Sequence, residues 1–181
     1  VIGHLPANGQ VWDLGTGSGA VAVTVALERT DAVVRASDIS SGALAIARKN
    51  AETLGARVEF ALGSWFETDK TSSEDKHRFD VIVSNPPYIE AGDEHLSQGD
   101  LRFEPQTALT DFADGLICIR ELAQRAPEFL KEGGWLLLEH GYNQGAAVRQ
   151  ILTANGFAEV STQQDLAGLD RLTLGMFRHV E

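Results

Sequence analysis

Short apolar runs with strand character alternate along this chain with longer runs of helical periodicity, and that alternation leaves few folds open. The strand-like runs fall at 10–14, 33–37, 57–62, 79–84 and 135–139, and the helix-like runs at 20–28, 42–54, 115–130 and 144–154. Such a succession predicts a doubly wound α/β fold, a mostly parallel sheet with helices on both faces. Gly55 and Gly156 follow helical runs where a left-handed residue is favoured, and Asp114 stands ahead of the 115–130 run as a candidate cap. Pro127 should kink or end that helix near Ala126. The runs 158–162 and 171–177 read as two more strands, and the polar stretch 68–77 reads as a solvated loop.

A length of 181 residues fits one globular domain, able to bury roughly 70% of its unfolded surface. No apolar run reaches the ~18 residues of a membrane span, and no leader pattern is evident, so a soluble, membrane-free domain is expected. The lone Cys118 suits a reducing, cytoplasmic compartment and reads as a small buried hydrophobe on a helix. The chain starts at Val1, and the expectation is a domain cut from a longer protein. Twenty-six acidic residues against 15 Lys plus Arg give a net charge of −11, which repels phosphate backbones and argues against direct nucleic-acid binding. His4, His77, His95, His140 and His179 lack ligand spacing, so no metal site is expected.

Two segments carry chemistry. The first, Asp13-Leu14-Gly15-Thr16-Gly17-Ser18-Gly19-Ala20, joins the first strand to the first helix, where a glycine loop lets the backbone approach a nucleotide. It formally satisfies the dinucleotide fingerprint G-x-G-x-x-G/A. Asp13 tells against a dinucleotide, because a carboxylate beside a pyrophosphate is unfavourable while one beside the sulfonium and ammonium of S-adenosylmethionine is favourable. Asp38, about twenty residues on, ends the second strand where an acid can take ribose hydroxyls.

The second segment is Ser84-Asn85-Pro86-Pro87-Tyr88 at the end of the run 79–84. A residue before proline is driven extended, and two prolines fix φ and supply no N–H. The Asn85 and Pro86 carbonyls, the Asn85 side-chain oxygen and the Tyr88 ring are thereby left for a planar NH2 group, either an amide or an exocyclic amine.

Glycine loop, Asp38 and NPPY together resemble the class I S-adenosylmethionine-dependent methyltransferases. NPPYI, then QGDLRFEP at 98–105 and LLLEHG at 136–141, resembles within them the release-factor glutamine methyltransferases called HemK or PrmC, over about residues 11–177. The resemblance implies a seven-stranded sheet whose inserted strand, 171–177, runs antiparallel. Residues 1–181 would then be the catalytic domain, without the family's N-terminal helical docking domain. It implies S-adenosylmethionine, leaving as S-adenosylhomocysteine, held by Asp13, Gly15, Thr16, Gly17, Ser18, Gly19, Asp38, Ser64, Trp65 and Asn85. Asn85, Pro86, Pro87 and Tyr88 would serve the reacting nitrogen, the glutamine amide of a release factor's Gly-Gly-Gln motif. Asn85 Oδ1 and the Pro86 carbonyl would each accept one N–H while Tyr88 stacks on the amide.

Ser64 departs from the pattern, since the family usually has an acid ahead of Trp65 and Phe66 to accept from the adenine amine. Trp65 either lies against the adenine or is a core aromatic. Arg102 and Glu104 read as supports beneath the site, and Glu90, Asp93 and Glu94 as solvated or facing a basic partner. A nucleic-acid amino-methyltransferase is the alternative enzyme, because NPPY is shared with such enzymes. A noncatalytic cofactor-binding module is the alternative outside enzymes, and the intact NPPY opposes it.

Overall fold

The computed structural model describes residues 1–69, 78–88 and 114–178. Within them, β1 (Gln10–Leu14), β2 (Val33–Asp38), β3 (Glu59–Leu62), β4 (Phe79–Ser84), β5 (Leu130–Glu139), β6 (Phe157–Gln164) and β7 (Asp170–Phe177) form one sheet of order β3-β2-β1-β4-β5-β7-β6. The pairs from β3 through β5 are parallel, and β7 is antiparallel to both β5 and β6. This is the expected mixed seven-stranded α/β sheet, with the inserted strand where the resemblance puts it.

Successive strand residues point to opposite faces, and both faces are covered. Trp12, Leu14, Ile82, Leu136 and Leu138 pack with Ile119 and Leu122 of α3 (Ile117–Arg125) and Val148 and Leu152 of α4 (Gly145–Ala154). Val11, Val81, Val83 and Leu137 turn the other way, onto Ala22, Val25 and Ala26 of α1 (Ala20–Glu28). Double coverage is why Val81-Ile82-Val83 and Leu136-Leu137-Leu138 are apolar without alternation. Beside α1 lies α2 (Ser41–Leu54), whose Ser40 side chain accepts from Ala43 N at its start and whose end is closed by Gly55 at φ 73°.

Several boundaries differ from the sequence reading, some by one residue and the strand read at 158–162 by extending to Phe157–Gln164. The run 115–130 is helical only over Ile117–Arg125: it starts two residues late, and it ends at Ala126 as Pro127 predicts, the proline lying in a 3-10 turn, Ala126–Glu128, where its missing N–H is tolerated. β5 starts at Leu130 rather than 135: its pairing with β4 is irregular between Phe79 and Val81, and Gly133 at φ 76° lets the strand run on through the bend. Asp114 accepts from Leu116 N at 3.0 Å and pairs with Arg120, but the helix begins at Ile117, so Asp114 closes a turn before it. β3 begins at Glu59 instead of 57. Cys118 is partly exposed on α3 rather than buried. The loop read at 68–77 is not solvated at its start, because Thr68 closes a 3-10 turn and the Asp69 carboxylate is buried between Arg35 and Arg78. Its remainder, 70–77, and the expectations for Glu90, Asp93 and Glu94, for 98–105 with Arg102 and Glu104, and for His77, His95 and His179 fall outside the described residues.

Candidate active site

Strand order reverses between β1 and β4, and ligands of open α/β sheets bind at the carboxyl ends of strands where this happens. Leu14 and Ser84 are register partners on those two strands, so the next residues, Gly15 and Asn85, leave the sheet side by side. The buried Ser84 hydroxyl donates to the Leu14 carbonyl at 2.7 Å and fastens the two exits together. The glycine loop and NPPY, 66 residues apart in numbering between Gly19 and Asn85, thus become two walls of one cleft.

The loop is held from beneath. Gly15 and Thr16 N–H both donate to the Ser37 carbonyl at the end of β2, at 2.8 and 3.0 Å, and Gly17 N–H donates to Asp38 Oδ2 at 2.9 Å. The other Asp38 oxygen takes Ser40 N–H at 2.8 Å. Gly15 has φ 70°, and a Cβ there would stand 3.1 Å from the Trp65 ring, so both backbone and space require glycine. Around Gly17, at φ 57°, a Cβ would meet nothing within 4 Å, which leaves open room at the mouth.

Asp13 is only 2% exposed. Its Oδ2 accepts from the Thr16 hydroxyl at 2.6 Å and from Ala22 N at 3.2 Å. α1 has Gly19 at its N-cap position and so no side-chain cap of its own, and Asp13 does that work from the preceding strand. Burial pushes its carboxyl up to about 6, against the two hydrogen bonds and with the Asp38 charge adding to the rise.

Trp65 opens the 3-10 turn Trp65–Thr68 at φ 36°, a conformation a bulky residue holds only under constraint. The constraint is visible: Gly63 N donates to the Asp38 carbonyl, Arg35 reaches the Thr68 carbonyl at 2.5 Å, and the buried Asp69 carboxylate pairs with Arg78 at 2.7 Å and Arg35 at 3.6 Å. Phe66 fills the core against Phe129 at 4.6 Å, while Trp65 stays half-buried with its ring over Gly15. Among the described residues the Ser64 hydroxyl has no hydrogen-bond partner.

On the opposite wall Asn85 is exposed, Pro86 is buried and Pro87 and Tyr88 are half-buried. The Tyr88 hydroxyl points to Glu139 Oε1 at 3.4 Å, and burial raises both groups above their usual values. The Tyr88 carbonyl accepts from Gln144 Nε2 at 2.9 Å. His140, fully buried, contacts the Gly141 carbonyl through Nδ1 at 2.9 Å and Thr173 Oγ1 through Nε2 at 2.8 Å. A carbonyl only accepts, so Nδ1 carries the proton and Nε2 takes the Thr173 hydroxyl. His140 is therefore a satisfied core histidine, and burial holds its pKa down. His4 packs against Trp135 with centroids 4.3 Å apart and the rings tilted by 44°, and no group of metal-ligating residues occurs among the described residues.

All the site residues expected from the sequence lie at this end of the sheet. Sequence reasoning passed over Ile39 and Leu62, 75% and 60% exposed beside Asp38 and at the end of β3, and also Glu139 and Gln144. An apolar residue directly after a strand-ending acid was the available signal for Ile39. A depression of about 500 Å³ lined by His4, Pro6, Asp80, Glu132 and Trp135 lies at the amino ends of the strands, away from these groups.

The family model for the Methyltransferase small domain matches residues 1–101. The release factor glutamine methyltransferase of Neisseria gonorrhoeae (strain ATCC 700825 / FA 1090) is 71% identical over 98% of this chain, and that of Xylella fastidiosa (strain Temecula1 / ATCC 700964) is 53% identical over 92%. The chain spans 64% and 59% of the lengths of these two relatives. Among solved structures, a methyltransferase from Pyrococcus furiosus matches with TM-score 0.70 at 20% identity, covering 97% of this chain and 78% of that one. A ribosomal protein L11 methylase from Lactobacillus delbrueckii subsp. bulgaricus matches with TM-score 0.63 at 21% identity, covering 94% and 71%. At such identities these two likenesses speak for the fold. No helix among the described residues is long and apolar enough to cross a membrane. Because the family match runs through both walls of the cleft, from the glycine loop past NPPY, the chain belongs to the methyltransferase small domain family and is similar, over nearly all its length, to release factor glutamine methyltransferases.

Proposed function

We propose that this domain methylates the side-chain amide nitrogen of a glutamine in the Gly-Gly-Gln motif of a peptide-chain release factor, with S-adenosylmethionine as donor. The observation that carries the reading is the Leu14–Ser84 register, which sets the acceptors of NPPY beside the glycine loop. The named relatives supply the substrate class.

The cleft fits the donor. Open space flanks Gly17, exposed apolar Ile39 and Leu62 offer a surface to an adenine, and Asp38 stands where ribose hydroxyls would meet it. Gly15, Thr16, Gly17, Ser18 and Gly19 would line the donor, with Ser64 and Trp65 at the adenine side and Asp13 beneath. When bound, S-adenosylmethionine supplies a methyl group on a sulfonium.

An amide nitrogen is a weak nucleophile because its lone pair is delocalised. Asn85 Oδ1 and the Pro86 carbonyl accept its two N–H bonds and turn the lone pair towards the methyl carbon, while Tyr88 stacks on the amide plane. With the donor held by the glycine loop, transfer would move the methyl from the sulfonium to this nitrogen, leave S-adenosylhomocysteine and release one N–H proton to water. Positioning and oriented acceptors supply the acceleration.

Incubating the domain with methyl-labelled donor, a release factor, duplex DNA and structured RNA tests this. Label on the Gly-Gly-Gln glutamine is the expected result, and label on nucleic acid alone overturns it. Residues 1–181 are read as the catalytic domain. A longer protein carrying the relatives' additional length should act faster on intact release factor, because binding energy from a second surface would contribute.

A further inference from the structure

The two prolines of NPPY remove the N–H groups that would normally fasten such a segment. Its entry is fixed by Ser84, and at its exit, among the described residues, one buried side chain holds the Tyr88 carbonyl. Gln144, 7% exposed at the start of α4, donates through Nε2 to the Tyr88 carbonyl at 2.9 Å and leans on the Gly115 carbonyl at 3.5 Å. Its Oε1 accepts Gly141 N–H at 2.8 Å. Two carbonyls on one side and an N–H on the other leave a single orientation for the amide. Crowding reinforces this, since a Cβ on Gly115 would run into the Tyr88 carbonyl and within 2.7 Å of Gln144 Nε2.

Gln144 is in turn supported from behind. Arg149 donates to Thr162 Oγ1 at 2.7 Å, and the Thr162 and Thr173 hydroxyls stand 2.8 Å apart. The Thr173 proton is committed to His140 Nε2, so Thr162 is the donor to Thr173, and His140 Nδ1–H ends the chain on the Gly141 carbonyl. One peptide unit away, Gly141 N–H meets Gln144.

We infer that Gln144 is a positioning residue for methyl transfer: through the Tyr88 carbonyl it sets where Pro86, Pro87 and the Tyr88 ring stand against the acceptor amide. The inference rests on the proposed function for its catalytic consequence, but the pinning of Tyr88 is measurable without it. Gln144 touches neither the glycine loop nor Asp38, so donor affinity should be independent of it.

Gln144→Glu is the informative substitution, because it keeps size and shape while turning a carboxylate oxygen onto two carbonyls. Two measurements go together. The first is kcat on a Gly-Gly-Gln peptide, with donor affinity by calorimetry. The second is the fluorine spectrum of 3-fluorotyrosine-labelled protein, which has only Tyr88 and Tyr142 to resolve, assigned with Tyr142→Phe. A kcat lower by about tenfold or more, a donor affinity within about twofold, and a Tyr88 resonance that moves or splits are expected. A kcat within about twofold of wild type, a donor affinity that falls in parallel with kcat, or an unmoved Tyr88 resonance overturns the inference. If wild type itself does not methylate the peptide, the proposed function fails, and the Tyr88 resonance alone decides whether Gln144 pins it. Should Gln144→Glu fail to fold, Gln144→Met takes its place in both measurements, and the same results support or overturn the inference.

Discussion

Asp13 is the buried acid whose replacement should separate stability from binding. In the folded state its carboxyl is raised from 3.8 to about 6, first by burial, so the fold holds a proton on Asp13 more tightly than the unfolded chain does. Its effect therefore fades as pH falls below 3.8, grows as pH rises through 4 to 6, and above 6 destabilises the fold by the whole difference. A shift from 3.8 to about 6 corresponds to about 3 kcal/mol at about 1.4 kcal/mol per unit. Asp13→Asn removes that charge and keeps the contacts, because both hydrogen bonds arrive at Oδ2 and an amide oxygen can stand in its place. The variant should be more stable than wild type by up to about 3 kcal/mol at pH 7 and by only about 0.6 kcal/mol at pH 4. Buried His140 acts in the opposite sense, losing stability as pH falls below 6.5, so the wild-type profile alone mixes the two. The difference between the two proteins cancels His140. Urea unfolding of both, from pH 4 to 8, measures it. A difference that stays flat across that range would refute burial as the dominant cause. Calorimetry with S-adenosylmethionine at pH 7 supplies the other half: if the Asp13 charge serves a cationic donor, the stabler variant binds it more weakly.

Asn85→Ala should lower turnover about a hundredfold, the usual loss of about 3 kcal/mol for one oriented contact. Donor affinity measured by calorimetry should move far less, and turnover above half of wild type would remove Asn85 from the proposed role. Gly19→Ala forces an L side chain to φ 84° with its Cβ 3.1 Å from that of Ala47, where α1 meets α2. A loss of about 2 kcal/mol in urea unfolding is expected. Ser64→Asp should tighten donor binding by about 1 kcal/mol through one charge-assisted hydrogen bond to the adenine amine, and unchanged affinity would show that Ser64 does not face it.

What was legible in the sequence was what local periodicity and backbone restriction determine. Strands β1 and β4 and helix α1 have the bounds the pattern predicts, because an apolar run between turn residues admits few alternatives. Two of the misplaced boundaries share one cause. Lys131 to Gly134 reads as a loop by composition, yet β4 offers a partner on that side and the strand continues through Gly133. Residues 115 and 116 read as helix by composition, yet Gly115 adopts φ 72° against the Tyr88 carbonyl. In each case a partner distant in the chain decides the conformation, and no local window contains it.

The same limit runs through the cleft. Its two walls were each readable, since GTGSG and NPPY act through backbone geometry that their own residues impose. Their adjacency follows only from strand register, in which Leu14 pairs with Ser84 across 70 positions. Asp13 shows how this changes a chemical reading: in sequence it is an acid at the mouth of a loop, and in the fold it is the cap that α1 lacks, turned inward onto Thr16 and Ala22. Both descriptions follow from one position, since an acid that caps a helix from below the loop also sets the potential at the loop's floor. Gln144 is the converse case. As a helix-start residue it carries no chemical signal, and its importance arises because the fold brings Tyr88, Gly115 and Gly141 to its one amide. Reactive groups are legible where the chain shapes itself, and the groups that aim them are legible only once the sheet has been assembled.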